Sequence, residues 1–260
     1  MLSTIIIVKN EKEVIQDCLE SVKWTDEIVV LDGGSTDGTL EIIKKYPVKL
    51  VRQKATGMSY GSWRNQGRDE TGGDWILYVD ADERIPPLLK EEILQVTRNT
   101  RHEKRDKKYT AFAIPRRNFL LGKELKHGGW YPDYVKRLFL KKNLEKWVGR
   151  LHEEPIFKGE MGKLENPMIH WQPETIEPAL QKSIIWSDIE ARLLFEANHP
   201  KIAWWRVLRM GITTLFDRLV EKQGFRDGTE GWIESFYQAF HTMIVYLRLW
   251  EMQEHRKTQK

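Results

Sequence analysis

Asp80 and Asp82 stand one residue apart, with Glu83 beside them, directly after the apolar run Trp75-Ile-Leu-Tyr-Val79. A strand that ends this way turns the side chains at i and i+2 to one side of the pleat. Two carboxylates so placed offer hard oxygen donors to a divalent cation such as Mn2+ or Mg2+, the usual partner of a diphosphate. An isolated Asp-x-Asp is more often an ordinary solvated loop, so its context decides the reading. Two further β-branched runs end in the same way. Thr4-Ile-Ile-Ile-Val8 leads into Lys9-Asn10-Glu11, and Ile28-Val-Val-Leu31 leads into Asp32-Gly-Gly-Ser-Thr-Asp37-Gly38. Parallel sheets gather the carboxyl ends of their strands around a ligand crevice, and three acidic strand ends fit that arrangement.

The intervening segments must hold those ends in place, and they read as helices. Asn10 and Glu13 have the form of a capping box, and Val14, Cys18, Leu19 and Val22 recur at helical spacing, which predicts a helix over 11–23. A second helix is expected over 39–45, ended before Pro47, then a strand over 48–51 and a helix over 59–70. Pro86-Pro87 opens another helix, since proline is tolerated in a first turn. The order strand, helix, four times over, predicts an α/β fold: an open, mostly parallel sheet flanked by helices. The run over 98–108 is densely charged and reads as a solvated connection before a strand over 109–114.

Four segments together carry a family resemblance. Val8-Lys-Asn-Glu11, Asp32-Gly-Gly-Ser-Thr-Asp-Gly-Thr39, Arg64-Asn-Gln-Gly67 and Trp75 to Glu83 resemble, in order, the successive blocks of the inverting family 2 glycosyltransferases of GT-A fold. Further on, Gly129-Trp-Tyr-Pro-Asp133, Arg137-Leu-Phe139 and Gly149-Arg-Leu-His-Glu-Glu154 are similar to the subgroup of bacterial lipopolysaccharide inner-core β-glucosyltransferases. The resemblance implies a metal-dependent transfer of a sugar from a nucleotide diphosphate donor, with UDP-glucose expected, to a lipid-linked saccharide. It also implies roles for particular residues. Asp82 is the expected direct metal ligand, with Asp80 touching the metal through water or holding the ribose, and His170 a candidate third ligand. Glu11 and Asp32 fall where base and ribose would lie, or else serve as helix N-caps. Asp37 is a nucleotide contact or a turn residue before Gly38. Arg64 and Arg137 suit diphosphate oxygens, or pair with neighbouring carboxylates. The base that takes the acceptor's proton is expected at Glu153, with Asp133 as its rival. The other reading of Glu153 is a structural pairing with Arg150 or Arg137.

Composition sets the frame. A chain of 260 residues with 40% hydrophobic content holds one α/β domain and an appendage. We place the boundary at 175, with a catalytic domain over 1–175 and a helical extension over 176–260. The single Cys18 permits no intrachain disulfide, and its place on an apolar helix face predicts a packing role. The first eight residues lead into a strand without a secretory leader, so a cytoplasmic location is expected. A net charge of +4 does not argue for nucleic acid. In the extension, Trp205, Leu208, Ile212, Leu215, Phe216 and Leu219 form one helical stripe, with Arg206, Arg209 and Arg218 largely off it. Such a helix suits either the surface of the inner membrane or a bundle packed on the catalytic domain or a second subunit. No 18-residue uncharged apolar stretch occurs, so no span is expected. Two other classes share part of this pattern. A nucleotidyltransferase would carry a Gly-rich basic loop near the N-terminus, where Val8-Lys-Asn-Glu-Lys-Glu13 has no glycine. An inactive glycan-binding relative would have no need of Asp80, Asp82 and a downstream carboxylate.

Overall fold

The computed structural model describes residues 1–52, 60–98, 109–149, 153–172 and 175–258. Residues 99–108 of the charged connection, the helix start at Ser59 and the motif residues Arg150, Leu151 and His152 lie outside the described residues. The chain divides into two compact units, Met1–Arg117 with Asp133–Trp171, and Asn118–Pro132 with Gln172–Lys260.

In the first unit β1 (Leu2–Val8), α1 (Ile15–Val22), β2 (Glu27–Asp32), α2 (Thr39–Ile43), β3 (Lys49–Arg52), α3 (Tyr60–Glu70) and β4 (Trp75–Asp80) alternate as the sequence pattern predicts. Their strands are parallel in the order β3-β2-β1-β4. The register sets Val8 opposite Asp32 and Ile7 opposite Asp80, which brings the acidic strand ends to one edge. β5 (Glu83–Arg84) and α4 (Pro87–Arg98) follow. The sheet then continues through antiparallel strands. β6 (Tyr109–Leu120) pairs with β8 (Asp133–Leu140), β8 pairs with β4, β9 (Leu144–Val148) and β10 (Glu154–Phe157) form a separate antiparallel pair, β11 (Glu160–Lys163) adds to β6 in parallel, and β12 (Met168–Trp171) pairs with β5. This is the α/β class expected from the sequence, with an antiparallel half added to the parallel one.

Both sheet faces are covered, which is why the strands are continuously apolar rather than alternating. Ile6, Val8, Val30 and Leu77 face Ile15, Cys18, Leu19 and Ile43, while on the other face Ile5, Ile7, Leu31, Tyr78 and Phe139 cluster with Trp147 and Trp63. Cys18 is fully buried and packs as expected.

The predicted start of α1 is corrected. Asn10 has a positive φ of 56°, and its side-chain oxygen accepts from Thr36 N at 2.8 Å instead of capping a helix. α1 begins at Ile15, after Val14, without a side-chain cap. Asn10 thereby ties the β1–α1 loop to the β2–α2 loop.

The second unit contains α5 (Ile176–Glu196), α6 (Trp204–Phe216) and α7 (Gly228–Thr258), with a hairpin formed by the end of β6 and β7 (Lys123–Leu125). Its core is built from Ala191, Ile202, Val207, Val245 and Leu249. Asp227 anchors the hairpin. Its Oδ2 accepts from Lys126 N and His127 N, and its Oδ1 meets His127 Nδ1 at 2.6 Å. Among the described residues, no helix is long and apolar enough to cross a membrane.

Candidate active site

β4 ends at Asp80, and the next turn folds back so that Glu83 Oε2 accepts from Asp80 N at 2.9 Å. Glu83 is fully buried, and its other oxygen accepts from Arg137 Nη2 at 2.6 Å and Arg116 Nη1 at 3.2 Å. Arg137 also donates to Asp80, whose Oδ1 is 3.2 Å from Arg64 Nη2. Arg64 Nε donates to Glu153 Oε1 at 2.9 Å, and Arg116 Nη2 lies 2.7 Å from Asp133 Oδ2. The cluster therefore joins Arg64, Arg116 and Arg137 to Asp80, Glu83, Asp133 and Glu153, so carboxylates outnumber guanidiniums four to three.

Burial opposes ionisation of Asp80, but Arg137 and Arg64 outweigh it and hold the carboxyl well below the usual carboxylate range. Burial likewise disfavours the charge on Arg137, and Asp80 and Glu83 reverse that, so Arg137 stays cationic. Among the described residues its Nε is buried without a hydrogen-bond partner. Arg64 is buried too, its guanidinium 5.0 Å from the Trp147 ring centroid and 5.5 Å from that of Tyr78. The two rings are themselves 5.2 Å apart and nearly perpendicular, an aromatic corner against which the guanidinium rests while its nitrogens reach the carboxylates.

Asp82 and His170 meet at the same rim. His170 Nε2 lies 3.5 Å from Asp82 Oδ2, and Trp171 N donates to the Asp82 carbonyl at 2.9 Å. The pairing of His170 with Glu83 across β12 and β5 is what delivers the imidazole to a motif nearly ninety positions upstream. A carboxylate from the turn between β4 and β5 and an imidazole from the strand beside it suit Mn2+, for which both donors are ordinary ligands, better than Mg2+, which prefers oxygen. Among the described residues no three His, Cys, Asp or Glu side chains form a ready-made metal cluster, so this pair would share a cation with ligand or water oxygens. Asp80 faces arginines.

The two N-terminal loops are knitted together. Asp32 is buried, accepting from Gly34 N at 3.1 Å and Ser35 N at 3.0 Å, an Asx-type turn that shapes the loop after β2. Asp37 accepts from Thr39 N and Lys12 N, both at 3.1 Å. Desolvation would raise its pKa, yet these bonds and that from the Thr39 hydroxyl leave it lowered. Its contacts are those of a turn residue. Glu11 N donates to the Thr39 hydroxyl at 2.9 Å. Neither Glu11 nor Asp32 serves as an N-cap, since α1 and α2 are preceded by Val14 and Gly38 without side-chain caps. Tyr60, at the start of α3, titrates high through desolvation and then the negative charges of Asp80, Glu11, Glu153 and Asp82, which marks the convergence of those acids.

Sequence reasoning assigned no role to Glu83 or Arg116. Glu83 was visible within the acidic motif itself. Arg116 carried no local signal, because only the register of β6 against β8 sets it opposite Asp133. α3 reaches the site through close backbone approaches. A Cβ on Gly61 would lie 3.1 Å from the Gly149 carbonyl oxygen and 3.6 Å from Glu153 Cβ. A separate cleft of about 1020 Å³ lies by the opposite strand ends, lined by Met1, Arg68, Asp74, Trp75, Lys141 and others. It contains none of the acidic groups described above and is basic rather than metal-binding in character.

Residues 3–119 match the family model described as Glycosyl transferase family 2. The lipopolysaccharide core biosynthesis glycosyltransferase LpsC of Rhizobium meliloti (strain 1021) is 23% identical over 96% of this chain and 92% of its own length. Among solved structures, S. aureus TarS 1-349 in complex with UDP-GlcNAc covers 98% of this chain and 91% of its own, at 13% identity and a TM-score of 0.49. Glucosyl-3-phosphoglycerate synthase from Mycobacterium tuberculosis, in complex with Mn2+, UDP and phosphoglyceric acid, covers 77% of this chain and 80% of its own, at 15% identity and a TM-score of 0.47.

Proposed function

We propose that the chain, whose residues 3–119 match the model described as Glycosyl transferase family 2, is an inverting, metal-dependent glycosyltransferase. The donor is a nucleotide diphosphate sugar, with UDP-glucose as the specific candidate. The acceptor is a lipid-linked saccharide such as the lipopolysaccharide core, reached at the cytoplasmic face of the inner membrane; the kinship with LpsC supports that choice. The observation that carries the reading is the Asp82–His170 pair at the rim of β4, beside the Arg64–Asp80–Arg137 cluster.

Asp82 and His170 would hold Mn2+ or Mg2+, with Asp80 acting on it through water or on the ribose. The cation supplies neutralisation of the charge that develops on the departing diphosphate. Arg64 and Arg137 place two guanidiniums beside Asp80, where diphosphate oxygens compete for them. Asp32 and Glu11 shape the loops that receive the nucleoside, and Asp37 holds those loops together. Glu153 removes the acceptor hydroxyl's proton as the acceptor oxygen bonds to the anomeric carbon and the carbon–diphosphate bond breaks. Asp133, fixed by Arg116, lines the same cluster.

A panel of nucleotide sugars, incubated with and without Mn2+ or Mg2+ and assayed for nucleoside diphosphate release and sugar transfer, tests this reading. Metal-stimulated release from one nucleotide sugar is expected, reduced at least about a hundredfold in Asp82→Ala. Pyrophosphate release from a nucleoside triphosphate, with no turnover of any nucleotide sugar, would replace it with nucleotidyl transfer.

A further inference from the structure

The apolar stripe of α6 faces outward. Val207 and Gly211 turn inward, where a Cβ on Gly211 would meet Met243 of α7 at 2.6 Å, so the narrow side of the helix is the packed one. Trp204 is 76% exposed and Ile212 68%, and Trp205, Leu208 and Phe216 are each about half exposed. At 100° per residue these five side chains fall within a sector of about 120°, which makes them one face rather than scattered positions. Isolated exposed apolar residues need no explanation, but a contiguous face of this kind marks a binding surface.

The charges beside that face select its partner. α6 contains no acidic residue, and Arg206 and Arg209 lie along one edge of the stripe. Among the described residues neither is paired with a carboxylate. Their guanidiniums sit 6.0 and 5.8 Å from the Trp205 ring centroid, a basic and aromatic edge beside an aliphatic face. Indole rings settle at headgroup depth and arginines at anionic phosphates. A second copy brought face to face would set these arginines against their own kind.

We propose that α6 is an interfacial helix that lies on an anionic phospholipid surface, with Trp205, Leu208 and Ile212 inserted and Arg206 and Arg209 on lipid phosphates. This deepens the reading of a lipid-borne acceptor by naming the surface that meets the lipid, and it is tested without any sugar transfer.

The test is co-sedimentation of the full chain with vesicles of phosphatidylglycerol or of phosphatidylcholine. Binding to the anionic vesicles alone is expected. Arg206→Gln with Arg209→Gln should weaken it by about fivefold per arginine, since each basic side chain near an anionic surface contributes about that factor. Trp205→Ala with Ile212→Ala should weaken it roughly tenfold or more through lost insertion. Because Cys18 is fully buried, Ile212→Cys gives a selectively labelled position, and an environment-sensitive dye there should shift to the blue on vesicle binding. All four substituted side chains are partly exposed or more, so circular dichroism should show unchanged folding. Failure to bind anionic vesicles, an aqueous dye on vesicle-bound protein, or self-association that buries the dye without lipid would each overturn the proposal. Metal-stimulated donor turnover that persists in such an outcome would leave the glycosyltransferase reading standing.

Discussion

Glu153 Oε1 accepts from Arg64 Nε at 2.9 Å, across 89 positions of sequence. The same guanidinium reaches Asp80, so the expected base and the acidic motif share one cation. Glu153→Gln keeps a hydrogen-bond acceptor for Arg64 but removes the group that takes a proton. Transfer should fall by about 10²–10⁴-fold, while calorimetric affinity for the donor changes little. Normal transfer in Glu153→Gln alongside a comparable loss in Asp133→Asn would move the base to Asp133.

Arg137 neutralises both Asp80 and buried Glu83. Removing one partner of such a cluster strands the buried charge of Glu83, so Arg137→Met should destabilise the first unit by about 3–5 kcal/mol in urea unfolding. Adding Glu83→Gln to Arg137→Met should restore part of that loss. If the two effects simply add, the pair is not energetically coupled.

Gly67 lies inside α3, where a glycine-to-alanine change ordinarily stabilises a helix by up to about 1 kcal/mol. Here a new Cβ would stand 2.6 Å from Ile5 Cγ2 and 2.7 Å from Leu31 Cδ1. Gly67→Ala should therefore destabilise by about 1–3 kcal/mol, a reversal of sign measurable by thermal unfolding. A raised midpoint would mean that α3 does not press so closely on the sheet.

Glu234 is buried in α7, and burial pushes its carboxyl up to about 7, against the opposing effects of Gln238 and Arg218. The folded chain thus holds a proton at pH values where the unfolded chain, at about 4.5, has released it. The group's contribution to stability is complete below about pH 4.5 and is lost as pH rises to about 7, by on the order of 3 kcal/mol. Glu234→Gln should leave the unfolding midpoint nearly unchanged at pH 4.5 and raise it at pH 8. An equal effect at both values would exclude this titration as the cause.

The parallel half of the fold was legible because two signals coincided, β-branched runs and acidic residues at their ends. Local chemistry was misread at Asn10, where the pattern of a capping box concealed a left-handed residue whose side chain binds the neighbouring loop. Arg116 and the role of Glu83 depended on antiparallel registers between strands distant in sequence, which no local period encodes. The stripe on α6 was equally plain in the sequence, but periodicity reports that a helix has two faces and not which one is covered. Exposure at Ile212 and burial at Val207 supplied that answer.

Donor binding measured by calorimetry, with Mn2+ and then with chelator, for the unaltered chain, Asp82→Ala and His170→Ala, tests the metal-held diphosphate most directly. The unaltered chain should bind its nucleotide sugar at least about tenfold more tightly with Mn2+, and each substitution should remove that increment while leaving the metal-free affinity in place. An increment that survives in both variants, or that is absent from the unaltered chain, would contradict it.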